Sequence, residues 1–274
     1  MPMIPMTVKI IMVRAHPVNP DVRIEKEATS LSEAGYEVTI LCWGRYGAKT
    51  QKLEKRLNYK IRRFRFPAPL GARVIFSLPL WWLFELVWLL RNEWDVVHAA
   101  DFDTILPALI AAKIKQKKVI YDIFDFYADQ APLPRMFRMI VASLDRYVMN
   151  YADTIIIVDP SRLKQIRREQ DDSVIILYNS PSDTLIFNSN INAKGENIFR
   201  IFYAGGLSRD RDIFSILIAS AGFDDVYIEI AGYGDYEAEL KRIIGSKPRM
   251  SFLGLLPYNK VLEKSHQADL LFAL

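Results

Sequence analysis

Between Phe199 and Leu217 the chain passes from an aromatic, alternating stretch through Gly205-Gly206 and a polar run into the apolar series Ile213, Phe214, Ile216 and Leu217. Alternation reads as a strand and the later spacing as a helix. A strand that feeds a helix is half of a βαβ unit, so it calls for a parallel sheet with helices packed on it. The glycines bring bare backbone N–H groups close to a ligand, and a helix N-terminus carries about half a positive charge. Arg209 and Arg211 add two full charges. That composition suits a diphosphate, although an ordinary strand-to-helix turn with surface arginines has the same local pattern.

The same alternation runs through the rest of the chain. Lys9 to Val13 reads as a strand, Arg14 to Asp21 as a Pro-rich loop, and Asp21 as the cap of a helix to about Ala34 that stops at Gly35. Val38 to Trp43 is the next strand. The first turn lacks Gly-x-Gly-x-x-Gly, which argues against a dinucleotide cofactor in this half. Asn58 to Phe66 reads as a strand carrying Arg62, Arg63 and Arg65. Strands are also expected at Trp94 to His98, Lys117 to Tyr121, Thr154 to Val158 and Val174 to Leu177. Helices are expected at Ile105 to Lys113, Phe137 to Asn150 and Pro160 to about Glu169. His98, Asp101, Asp103, Asp122 and Asp125 fall at strand ends, where open α/β sheets bind ligands. Each alone is equally a helix cap or loop residue.

The polar segment Asn188 to Asn197 reads as a linker, so a first domain is expected over residues 1–182 and a second over 183–274. The second repeats the pattern, with strands at Val226 to Ile230 and Met250 to Leu253 and helices at Tyr236 to Ile244 and Tyr258 to Gln267. Gly232 and Gly234 again permit close backbone approach. Ala268 to Leu274 reads as a buried strand in which the chain stops, as a truncated chain does.

Val74 to Leu90 is nearly all apolar, with Trp81, Trp82 and Trp88, and at about 17 residues it approaches membrane-spanning length. Pro79 and Glu85 interrupt it. Arg45 to Arg73 holds ten Lys or Arg against one acid, Glu54, although the net charge is only +4. Val74 to Leu90 is therefore read as a transmembrane helix, as a helix buried in the domain, or as one that also dips its aromatic side into a membrane surface with the basic stretch before it, so that residues 60–91 are the candidate membrane contact. The basic residues match no recognised nucleic-acid module, so no nucleic acid partner is expected. The single cysteine, Cys42, excludes an internal disulfide, metal-ligand spacing is absent, and the start lacks the pattern of a signal peptide. A cytoplasmic protein without a metal cofactor, peripheral on a membrane at most, is the expectation.

The order of motifs resembles the retaining glycosyltransferases of family 4, which have two Rossmann-like domains in the GT-B arrangement. The resemblance rests on His16-Pro17-Val18-Asn19-Pro20-Asp21 with the Arg23 to Ala28 helix, on Trp94 to Ala99, Val119 to Asp122, Ala152-Asp153 to Ser161, and Tyr178-Asn179. In the second half it rests on Tyr203 to Leu207, Ala231 to Gly234, Phe252 to Gly254 and Ala268-Asp269. It implies a nucleotide-sugar donor on the second domain, an acceptor on the first, and chemistry in the cleft between them without a metal; the aromatic helix and basic stretch point to a glycan or lipid-linked acceptor. The donor diphosphate would meet Gly205 and Gly206. Arg211, with Arg209 as the weaker candidate, would neutralise charge on the leaving diphosphate. Gly232, Gly234 and Leu256 would lie near the nucleotide.

There are two departures. The family's functional His often follows the strand equivalent to Val119–Tyr121, where this chain has Phe124. Asp122, Asp125 or His98 would then orient the acceptor hydroxyl. The family's Glu-x7-Glu motif would lie beyond Leu274. Two further readings remain beside the transferase: a non-catalytic glycosyltransferase-like subunit that binds a partner or membrane, and a GT-B nucleotide-sugar epimerase.

Overall fold

A computed structural model describes residues 7–18, 21–45, 52–69, 71–126, 128, 135–180, 198–245 and 247–272. The chain divides into two compact units, Met1–Ser180 and Pro181–Leu274. The linker expected at Asn188 to Asn197 lies outside the described residues.

The first unit is built on eight strands: β1 (Lys9–Arg14), β2 (Glu37–Trp43), β3 (Leu53–Lys55), β4 (Lys60–Phe64), β5 (Val96–Ala100), β6 (Lys118–Ile123), β7 (Thr154–Ile157) and β8 (Val174–Ile176). They form one sheet in the order β3-β4-β2-β1-β5-β6-β7-β8. Every pairing is parallel except β3 on β4. Strand order reverses between β1 and β5, the switch point at which such sheets open a crevice. β3 escapes sequence detection because three residues, two of them charged, carry no readable alternation.

Helices cover both faces. α1 (Val22–Glu33) packs Ile24 and Ala28 against Ile10, Met12 and Ile40 on one face. On the other, α2 (Leu78–Arg91), α3 (Phe102–Lys115), α4 (Arg135–Val148) and the short α5 (Arg162–Ile166) close over Ile11, Val13, Val97 and Ile155. Successive strand residues thus feed opposite cores, as the period of two requires.

Several expectations change. Asp21 sits at the N-cap of α1, but its carboxylate makes no capping bond; it accepts from Arg14 Nε at 2.9 Å, and a cation outcompetes a backbone amide. Pro79 does not interrupt α2, since it occupies the first turn, where its missing N–H is no loss. Glu85 does not break it either: the helix runs through it, burying Trp81, Glu85 and Leu89 on one face. No helix among the described residues is long and apolar enough to cross a membrane. The expected basic surface before α2 is partly used internally. Arg63 is buried and holds Glu54 and the Val18 carbonyl, and Arg45 lies 3.7 Å from Asp103, while Lys60 pairs with Glu37 on the surface. The helix expected to reach Glu169 ends at Ile166, with Arg167 at φ 60°.

The second unit carries β9 (Phe199–Gly206), β10 (Val226–Tyr233), β11 (Met250–Gly254) and β12 (Leu270–Leu271) in a parallel sheet ordered β11-β10-β9-β12. With it are α6 (Ile213–Ser220), α7 (Glu237–Ile244) and α8 (Tyr258–Gln267). β9 does not end before the glycines but continues through Gly206, where it still pairs with Tyr233. The strand expected to be buried after Ala268 is an edge strand, and Leu270 and Leu271 are both exposed.

Candidate functional site

Two groups of residues gather at the carboxyl ends of the two sheets. In the first unit the group flanks the β1–β5 switch point. Arg14 ends β1, and its guanidinium bonds Asp21 and Asp101. Arg23, the second residue of α1, bonds Glu27 at 3.0 Å and also Asp122. His98 Nε2 lies 3.0 Å from Asp122 Oδ2 and 3.7 Å from Glu27 Oε2. His98, Asp101 and Asp122 are all buried.

The electrostatics follow from that burial. It opposes charge on Arg14, yet Asp101 and Asp21 hold its pKa above the ordinary value. Burial also opposes protonation of His98, but the hydrogen bond to Asp122 and the charges of Asp122 and Glu27 outweigh it and raise the pKa. Burial, then the neighbouring Asp122, pushes Glu27 up to about 7. Burial and the nearby Asp101 push Asp103 up to about 7. Glu27, His98 and Asp122 offer three ligand-type atoms within 4.8 Å of one another, the one such grouping among the described residues. Arg23 already bonds both of these carboxylates and supplies the balancing charge.

The structure therefore brings together only part of the predicted acceptor side. His98 and Asp122 lie within their strands rather than at the ends, and each is enclosed. Asp125 lies beyond β6; its backbone N–H donates to Asp101 at 3.2 Å, but its side chain, 53% exposed, lies 3.2 Å from Arg162. Phe124 is buried between the two guanidiniums, Arg14 at 4.4 Å and Arg23 at 3.9 Å from its ring. Arg14, Arg23 and Glu27 were not singled out by the sequence reading. The available signal was an Arg-x-x-x-Glu pair in the first turns of α1, spaced to share one helix face.

In the second unit the predicted glycines do assemble. Gly205 lies in register with Gly232, Gly206 with Tyr233, and Gly254 with Ala231. Gly205 and Gly206 expose their backbone. Gly232 has φ 144°, and a Cβ built on it would stand 1.8 Å from the Gly205 carbonyl oxygen; one on Gly234, at φ 156°, would stand 2.4 Å from that of Leu207. These two glycines thus serve the approach of β10 and its following turn to the end of β9. Tyr203 donates its hydroxyl to the Gly206 carbonyl at 2.7 Å, which steadies that end. A single 3-10 turn, Arg209–Arg211, presents two exposed arginines and leads through Asp212 into α6. Leu256 is half-buried in the loop after β11.

The comparisons agree with this architecture. The Glycosyl transferase 4-like domain family matches residues 20–174, more than half of the chain. No curated protein matches the sequence. Sucrose-phosphate synthase from Thermosynechococcus elongatus superposes with a TM-score of 0.73 at 12% identity, over 96% of this chain and 74% of that one. The catalytic domain of starch synthase IV from Arabidopsis thaliana, bound to ADP and acarbose, gives 0.66 at 11%, over 97% and 78%. Anabaena HepE, in complex with UDP and glucose, gives 0.62 at 14%, over 96% and 73%. The chain belongs to the glycosyl transferase 4-like family, and its α/β units carry the GT-B fold.

Proposed function

We propose that this chain is a glycosyltransferase that takes a nucleotide-sugar donor on its second unit and transfers the sugar, with retention, to a glycan or lipid-linked acceptor on its first. The observation that carries the reading is the exposed Gly205-Gly206 backbone at the carboxyl end of β9, followed within one turn by Arg209 and Arg211, in a chain of this family. Backbone N–H groups accommodate phosphate oxygens, and a fixed cation stabilises the leaving diphosphate most as its charge develops. Arg211 takes that role, with Arg209 beside it. Gly232, Gly234 and Leu256 shape the nucleotide side of the same edge. UDP in HepE and ADP in starch synthase IV support a nucleoside diphosphate as the ligand class. Of the acceptor-side candidates, the exposed Asp125 receives the acceptor proton. His98 and Asp122, hydrogen-bonded to each other, hold β5 and β6 together, and Asp101 holds the Asp125 backbone.

Titration calorimetry with UDP and with ADP tests the donor half. Arg211→Ala is expected to weaken binding by about tenfold, the scale of one charge-assisted hydrogen bond. Gly206→Ala has open space for its Cβ, so any loss of affinity there reports ligand approach rather than misfolding. Unchanged affinity in Arg211→Ala removes the assigned role.

A specific observation favours a second reading, a non-catalytic glycosyltransferase-like subunit. The family's usual His position is Phe124, an apolar ring clamped by Arg14 and Arg23. Donor turnover separates the readings: only with a glycan acceptor for the transferase, without one for an epimerase, and none for the subunit.

A further inference from the structure

The helical layer formed by α2, α3 and α4 has an unusual outward side. On α4, Met136, Met139, Ile140, Leu144 and Tyr147 share one side of the helix, and each is at least 49% exposed. Ala142, Asp145 and Val148 form the opposite, buried side. The neighbouring α3 exposes Ile110 and Ile114, and α2 exposes Leu80 and Leu83. Apolar exposure on this scale marks an interaction surface rather than ordinary surface scatter.

Charge decides the partner. Each of the three helices holds a single acid, Glu85 on α2, Asp103 on α3 and Asp145 on α4, and all three are buried. What remains outside is basic: Arg91, Lys113, Arg135 and Arg138 are exposed. Among the described residues the exposed charges on these helices are all cations, and the nearby acids Glu169 and Asp172 lie only at the Tyr147 end; an apolar stripe with cations along it is the pattern of a helix lying in a lipid headgroup region.

We infer that the outward face of α2, α3 and α4 docks on an anionic lipid bilayer, with α4 as its main contact. The apolar side chains of α4 enter the headgroup boundary while Arg135 and Arg138 meet the anionic headgroups. This surface is separate from the glycine edge of the second unit and stands whether or not the transferase reading holds. The membrane contact thereby extends from residues 60–91, where Arg63 is buried against Glu54, to α3 and above all α4.

Co-sedimentation of the full chain with phosphatidylglycerol-containing vesicles, with pure phosphatidylcholine vesicles as the comparison and no nucleotide present, tests it. Binding to the anionic vesicles alone, weakened by high salt, is expected. Arg135→Glu with Arg138→Glu is expected to reduce it roughly tenfold or more. Met139→Asp with Leu144→Asp is expected to reduce it by a similar factor, and both positions are exposed enough to leave the fold intact, as circular dichroism would verify. Leu57→Asp, at a 99% exposed position between β3 and β4, is expected to change nothing. The inference is overturned if no vesicle binds, if either double variant binds like the parent, or if the apolar substitutions instead dissolve a dimer that forms without lipid.

Discussion

His98 Nε2 hydrogen-bonds Asp122 Oδ2 at 3.0 Å across two parallel strands, while Glu27 Oε2 sits 3.7 Å from the same nitrogen. The proton held in this group links the fold to pH. Glu27 rises from 4.5 to about 7 on folding, Asp103 and Asp145 rise from 3.8 to about 7, and His98 rises from 6.5. A raised folded pKa means that the native state binds the proton more tightly. The stabilisation is complete below each unfolded value and is lost as pH climbs through the folded one. Urea midpoints are therefore expected to fall between about pH 5 and about pH 8. Glu27→Gln should flatten that slope. A midpoint that rises across this range contradicts the assigned protonation.

The Gly232 backbone meets the Gly205 carbonyl so closely that no side chain fits. Gly232→Ala must part β9 from β10 at the end that carries the donor candidates. Overpacking combined with an unfavourable φ is expected to destabilise the second unit by about 3 kcal/mol. Limited proteolysis should then cut the second unit while the first stays resistant. Gly206→Ala, in open space, is the matched control and should unfold like the parent.

The element order of both units was legible because strands buried on both faces are apolar runs and each feeds a helix with a matching period. The first-unit site was only half legible. His98 and Asp122 are conspicuous residue types, but their enclosure depends on α1 crossing over them, which is a long-range fact. Arg14 and Arg23 carry no sequence mark of a site, since charge alone does not reveal that Asp101 and Asp122 await them in the fold. The gathering of glycines at one sheet edge was legible, because each follows an apolar strand, but the packing role of Gly232 and Gly234 was not. The extension of β9 through Gly206 was hidden, because it depends on β10 offering glycines of its own.

Glu85 is fully buried on α2, and neither carboxylate oxygen has a hydrogen-bond partner among the described residues. Burial, helped by Asp103, holds its pKa well above the ordinary carboxylate value, so it is carried as the neutral acid. A buried polar group without a partner costs about 1–3 kcal/mol. Glu85→Met keeps the length and removes that burden. It is expected to raise the unfolding free energy by about 1–3 kcal/mol at neutral pH. Thermal melts would read this directly, and a lower melting temperature would mean that the carboxyl has a structural partner.

Phe124 stacks under two cations, with Arg23 at 3.9 Å and Arg14 at 4.4 Å from its ring centroid. Each partly desolvated cation–π contact contributes about 1–2 kcal/mol. Phe124→Leu keeps an apolar side chain but removes both contacts, so a loss of about 2–3 kcal/mol is expected in urea unfolding. Phe124→His offers a ring of similar breadth that can carry positive charge between two guanidiniums. Its destabilisation should therefore be larger below about pH 6 than above it. If Phe124→His is instead as stable as the parent across that range, the arginines are free to swing away, and the clamp on this ring is looser than its geometry implies.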